Sequence, residues 1–343
     1  MRVLLKTTAF LMAGTLPAFA GTVTYRSFDL QALDTPMNTA VYTPDGTAPF
    51  EGWPVVYLLH GHNGTERSWT DLGDVEATLD RMMADGEIRP AVIVMPDAKN
   101  SWYVDSAERG GPGDYETAIT RDLRKAIEAS YPVRRDREGR AIAGLSMGGF
   151  GALRLALAHP DLYVASASFS GAIWQNVPKA DLEKTPDDLK EAQHAAFFQR
   201  QDAATVTAGV ILPAVGDHYS GSFGKPFEGR YFNADNVFTL LAMRLQEKAE
   251  LPAFYISCGD DDGYALWRGA FALYTMMEDS GVSAEFRVTD GAHVWSLWAR
   301  EIENGLAFID KHFQTAPAVA EAPDPLRGKA ELALDGDEAV KTQ

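Results

Sequence analysis

Short apolar-rich runs, uninterrupted at 55–59 and 91–95, punctuate the chain at intervals of about one strand–helix unit. The clearest are 55–59 (Val-Val-Tyr-Leu-Leu), 91–95, 140–143, 164–169, 253–257 and 284–288. Runs without polar alternation belong to strands covered on both faces, which is the signature of a parallel sheet. Between them lie segments with helical spacing. Residues 115–130 carry Ile119, Leu123, Ala126 and Ile127 and stop before Pro132; 150–158 stop at His159-Pro160; and 264–280 close on Gly281. Alternating strands and helices over this length predict an α/β fold, a doubly wound and mostly parallel sheet. Residues 22–42 alternate instead and predict leading antiparallel strands.

Two stretches break the rhythm. Residues 172–251 separate two core strands by far more than an ordinary crossover, which predicts a cap-like insertion over the sheet edge. Residues 314–343, rich in Ala, Pro, Glu and Asp, read as a disordered tail. The domain proper is then 21–313.

Residues 1–20 read as a cleaved export signal: Arg2 and Lys6, a short apolar run, then Ala18-Phe19-Ala20. The run is too short to span a bilayer, no later segment is long and apolar enough, and no cysteine follows for a lipid anchor. A periplasmic or secreted protein is expected. Its lone cysteine, Cys258, allows no internal disulfide and sits in an apolar strand as a core residue. The formal charge of −17 becomes about −19 once the leader's two cations are removed, which disfavours nucleic acid and anionic membrane as partners.

The chemistry centres on Gly144-Leu145-Ser146-Met147-Gly148, directly after a strand and before a helix. That context makes it a nucleophile elbow, a sharp turn lifting the Ser146 hydroxyl above the sheet, with the Met147 N–H aimed where an oxyanion would form. A serine needs a base and an orienting acid, which this fold supplies in the order Ser, acid, His. Of the histidines beyond the elbow, His293 lies after the last strand and before the last helix, where a base must stand. His218 lies in the insertion, suited to lining a substrate pocket, and His312 falls within the last helix. The acid belongs after 253–257, where Asp260, Asp261 and Asp262 are consecutive; Asp262 is the choice and Asp261 the reserve. Their consecutive spacing does not suit a calcium loop, and His60 and His62 have no third ligand nearby, so neither metal nor other cofactor is expected.

Four motifs in order resemble the putative-esterase family: Leu58-Leu59-His60-Gly61, Gly144-Leu145-Ser146-Met147-Gly148-Gly149, Cys258-Gly259-Asp260-Asp261-Asp262 and Gly291-Ala292-His293-Val294-Trp295-Ser296-Leu297-Trp298. The family contains S-formylglutathione hydrolases, feruloyl and acetyl-xylan esterases, and mycolyltransferases, and the resemblance covers about 55–313 with the insertion matching poorly. It implies the α/β-hydrolase fold, the triad Ser146, Asp262 and His293, and an oxyanion hole from the backbones of His62 and Met147. It also implies that Trp102-Tyr103 and Trp295 meet substrate. In the insertion, Trp174, His218, Tyr219 and Phe223 are placed to line a pocket.

The expected function is therefore an exported serine ester hydrolase acting on small-molecule or carbohydrate esters through an acyl-enzyme. An acyltransferase with the same triad, a thioesterase of the S-formylglutathione hydrolase type and a non-catalytic binding protein are the alternatives.

Overall fold

In the computed structural model, residues 20–179, 182 and 217–313 are described. The expected leader 1–20 (save Ala20), the expected tail 314–343 and most of the stretch 180–216 lie outside the described residues.

The apolar runs form the sheet. β3 (Val55–Leu59), β4 (Val92–Pro96), β5 (Arg140–Leu145), β6 (Ala165–Phe169), β7 (Ala253–Gly259) and β8 (Ala284–Thr289) are parallel. The alternating first strands β1 (Thr22–Phe28) and β2 (Met37–Thr43) pair antiparallel, and β2 adds antiparallel to β4. The order is β1-β2-β4-β3-β5-β6-β7-β8.

Each central strand feeds two cores because its side chains alternate between faces. In β3, Val55, Tyr57 and Leu59 belong to one buried cluster and Val56 and Leu58 to the other. The first face is covered by the helical segment 115–130 and the helices Met147–Ala158, Val237–Glu247 and Trp267–Asp279. Val75–Ala84 and Trp295–His312 cover the second. This is the expected α/β-hydrolase fold.

The chain leaves β3 toward β4 on one side and then crosses back past β3 to β5 on the other, so β3 and β5 are neighbours whose connections run to opposite sides. The crevice beyond the carboxyl ends of such a pair is the natural ligand site of an open α/β sheet. His60 follows β3 and Ser146 follows β5, so the candidate chemistry stands at that switch point.

The described parts of the insertion do two different things. Val237–Glu247 is a crossover helix, with Leu240 and Leu241 buried and Arg244 Nε donating to the Leu157 carbonyl at 2.9 Å. Ala172, Trp174 and His218 reach the crevice instead. No helix among the described residues is long and apolar enough to cross a membrane.

Candidate active site

The elbow forms because β5 runs straight into a helix with a single residue to turn on. Ser146 takes φ 53° and ψ −118°, a strained conformation for a residue with a side chain, and the Met147–Ala158 helix starts immediately after it. The turn is held from several sides: the Ser146 N–H donates to the Phe169 carbonyl at 2.9 Å, and its own carbonyl accepts from Phe150 and Ala172 N–H at 3.0 and 2.9 Å. Gly148 is required by close approach, since a Cβ there would lie 2.5 Å from the His60 carbonyl oxygen and 2.6 Å from that of Leu59. The glycine lets the helix start sit directly on the loop after β3.

Ser146 Oγ lies 2.9 Å from His293 Nε2, and His293 Nδ1 lies 2.7 Å from Asp262 Oδ2. A carboxylate oxygen only accepts, so the imidazole proton is on Nδ1 and Nε2 is free to take the serine proton. Asp262 is buried; its other oxygen accepts the Tyr264 N–H at 2.9 Å, and the Cys258 thiol donates to Oδ2 at 3.7 Å. Burial first, and then the Asp262 charge, push that thiol well above its ordinary range, which leaves it a protonated donor. The His293 ring is wedged edge-on between Tyr264 and Trp298, with centroids at 5.1 and 4.8 Å.

The neighbouring aspartates do other work. Asp260 Oδ1 accepts the N–H groups of Gly291 and Asp261 at 3.1 and 3.0 Å, tying the turn to the loop that carries His293. Asp261 is exposed. Asp260, Asp261 and Asp290 bring carboxylate oxygens within 4.8 Å of one another at the surface, and Asp260 also holds the turn through Oδ1.

A cavity of about 570 Å³ opens above Ser146, lined also by Gly61, His62, Met147 and His293. Among the described residues, neither the His62 nor the Met147 N–H is taken up by a hydrogen bond, so two main-chain donors beside Ser146 in the cavity remain free to meet an anionic oxygen. The loop carrying His62 is pinned through Asn63, whose N–H donates to Asn100 Oδ1 at 2.7 Å.

Trp102, Trp174, His218 and Trp295 line the cavity. Trp102 Nε1 and His62 Nε2 both donate to the His218 carbonyl, at 3.3 and 3.0 Å, and the His62 and His218 rings stack with centroids 4.7 Å apart. Burial, and then the neighbouring His62, push His218 down to about 4, so it is neutral near pH 7.

Tyr103 is a correction. It is fully buried away from the cavity lining, and its hydroxyl donates to the His60 carbonyl at 2.7 Å, because its ring packs where the glycine at 151 leaves room. Tyr219 and Phe223 are likewise core, packed on each other at 5.1 Å and on Phe227 and Phe232. Sequence reasoning missed Leu72, Tyr264, Leu266, Val294 and Trp298 in the wall.

Residues 30–227 match the family described as Putative esterase. An acetyl esterase of Caldicellulosiruptor saccharolyticus is 24% identical over 263 residues, covering 76% of this chain and 85% of the relative. An endo-1,4-beta-xylanase/feruloyl esterase of Xylanibacter ruminicola is 31% identical over 169 residues, 47% of this chain but only 22% of that protein. Among solved structures, a ferulic acid esterase superposes with a TM-score of 0.64 at 26% identity, over 86% of this chain and 99% of the other.

Proposed function

This chain belongs to the putative-esterase family, a family of hydrolases, and we propose that within it the protein is an exported serine carboxylic-ester hydrolase acting through an acyl-enzyme. The observation that carries the reading is the unbroken line from Ser146 Oγ through His293 to the buried Asp262.

In the proposed reaction His293 Nε2 takes the Ser146 proton as Oγ attacks the ester carbonyl carbon. The carbonyl electron pair moves onto oxygen, where the N–H groups of His62 and Met147 receive the charge. As the carbon–oxygen bond to the leaving alcohol breaks, His293 returns the proton to that oxygen, leaving the acyl group on Ser146. Water then repeats the sequence, giving up a proton to His293 and releasing the acid. Asp262 holds the imidazole in the productive tautomer and stabilises its cationic form throughout.

The cavity supports an uncharged substrate. On a chain of formal charge −17, no Asp, Glu, Lys or Arg among the described residues lines it, whereas four tryptophans do. Leu72, Tyr264 and Val294, all substantially exposed, form an apolar rim. Flat apolar walls suit small acyl esters, aryl groups and sugar rings, and offer no cation to a glutathione carboxylate. The relatives named as acetyl and feruloyl esterases support the same class. Export is supported by the leader 1–20.

The test compares kcat/KM for a nitrophenyl acetate, a feruloylated sugar and S-formylglutathione, with Ser146→Ala beside the native protein. Turnover of the oxygen esters is expected, reduced roughly a millionfold by the substitution. Undiminished hydrolysis by Ser146→Ala would refute the nucleophile, and a clear preference for the thioester would refute the substrate class.

A further inference from the structure

We propose that His60 is a positioning residue for the reaction: its side chain holds one end of the Gly61–His62 peptide so that the other end, the His62 N–H, is aimed at the oxyanion. The inference rests on the serine-hydrolase reading and extends it to a residue with no place in the triad.

His60 follows β3 and is almost completely buried. Its Nε2 is 2.9 Å from the Ala98 main-chain nitrogen, and its Nδ1 is 2.7 Å from the Gly61 carbonyl oxygen. An amide nitrogen only donates, so Nε2 must be the accepting nitrogen; a carbonyl only accepts, so Nδ1 must carry the proton. The two partners agree on one neutral tautomer. Burial pushes the imidazole below its ordinary range, in the same direction. Asp97, 3.9 Å from Nε2, is beyond hydrogen-bond reach of the ring, and its carboxylate is engaged by the Lys99 ammonium and by the Lys99 N–H at 3.0 Å.

The Gly61 carbonyl and the His62 N–H belong to one peptide unit. In a trans peptide these groups point in opposite directions in one plane. The Gly61 carbonyl also accepts the Gly64 N–H at 3.0 Å, so the His60 ring and the turn hold it together on the protein side; that turns the N–H toward the cavity, which Gly61, His62 and Ser146 line together. Accepting a hydrogen bond at the carbonyl also polarises the amide and makes its N–H a better donor.

The remainder of the loop leaves His60 no slack. Its own carbonyl accepts the Tyr103 hydroxyl at 2.7 Å and lies against Gly148, where a Cβ would come within 2.5 Å. Its ring lies so close to Gly64 that a Cβ there would be 2.8 Å from Nδ1. Tyr103, which takes no part in the cavity wall, thus acts through the same loop.

The test uses His60→Asn, which keeps a donor near the Nδ1 position, His60→Gln, which keeps a polar group near Nε2 but none at Nδ1, and His60→Leu, which keeps only bulk. Each is measured for kcat and KM on nitrophenyl acetate, and for affinity toward two inhibitors. One is an aryl trifluoromethyl ketone, whose adduct with a serine carries an oxyanion; the other is the corresponding alcohol, which forms no adduct. Melting temperature and the fraction labelled by a serine-directed phosphonate report folding.

His60→Gln and His60→Leu are expected to lose about a hundredfold in kcat, the scale set by a misplacement of about 1 Å. Affinity for the trifluoromethyl ketone should fall by a similar factor, with KM and alcohol binding changed less than about twofold, and His60→Asn should recover most of the loss. Unchanged ketone affinity in His60→Leu would overturn the proposal. So would equal losses in His60→Asn and His60→Gln that track melting temperature alone, because that pattern belongs to packing. Should His60→Leu fail to fold, the Asn and Gln pair decides. Native protein that neither turns over esters nor takes the phosphonate would refute the serine-hydrolase reading itself, and this inference with it.

Discussion

The His62 ring donates through Nε2 to the main-chain carbonyl of His218 at 3.0 Å, joining the loop after β3 to a segment 156 positions further along the chain. The loop that offers an oxyanion donor is thereby fastened to the insertion that walls the cavity. His62→Ala removes this tie and the ring stacked on His218 but keeps the backbone N–H. We expect kcat/KM for aryl esters to fall up to about tenfold, carried mainly by KM, since a single hydrogen bond contributes about 1 kcal/mol. A fall carried by kcat alone would show that the tie serves the chemistry rather than the wall.

The three consecutive aspartates should separate cleanly by kinetics. Asp262→Asn is expected to lower kcat about ten-thousandfold, because the amide favours the wrong imidazole tautomer and cannot stabilise its cation. Asp260→Asn should cost less than about tenfold, as the amide oxygen still accepts from Gly291 and Asp261. Asp261→Asn, at an exposed side chain, should stay close to the native rate. A larger loss in Asp260→Asn or Asp261→Asn than in Asp262→Asn would displace Asp262 as the acid.

Gly148→Ala probes the contact between the elbow helix and the loop after β3. The added Cβ meets two main-chain carbonyl oxygens, which cannot swing aside as a side chain would. The expected cost is about 1–3 kcal/mol of stability, with activity falling further than stability explains because the Met147 N–H moves with the helix. Melting temperature and kcat measured on the same preparation check this; a native melting temperature with native kcat would contradict the packing argument.

Acid sensitivity should report a buried ion cluster on the far side of the elbow helix. Burial alone would raise the Glu116 carboxyl, but Arg154 at 2.6 Å and His159 at 2.7 Å outweigh it and hold the group at about 2, against 4.5 for an ordinary glutamate. Arg154 also bonds Asp235 at 2.8 Å. Between those two values the unfolded chain binds the proton that the folded one refuses, so stability is present above pH 4.5 and is lost as pH falls toward 2. The contribution to the slope is at most about 1.4 kcal/mol per pH unit. Glu116→Gln should be less stable at pH 7 and show a flatter decline below pH 4.5, measured by urea unfolding across pH. An unchanged slope would remove Glu116 as the source.

The element pattern was legible because it is local. Each central strand declared itself as an apolar run, and the structure only moved ends: β5 reaches Leu145 where 140–143 was expected, because pairing with β6 continues to Phe169. The elbow helix begins at Met147 rather than 150, since a glycine pair that reads as a turn in sequence is tolerated in a helix whose start must sit against the loop after β3. Ser146 and His293 could be named from position relative to strands, because the turn motif and the chain order of this fold are themselves sequence features. What a side chain faces after 50 or 150 intervening residues have folded is another matter. Tyr103 and Trp102 are neighbours in sequence, both with positive φ, yet one ring enters the cavity wall and the other the core, and Tyr219 turns inward beside His218. His60 looked like a stray member of a glycine loop until Ala98 and Gly61 closed on its two nitrogens. Local chemistry is written in adjacent residues, but facing, burial and tautomer are set by partners that only the tertiary structure brings within 3 Å.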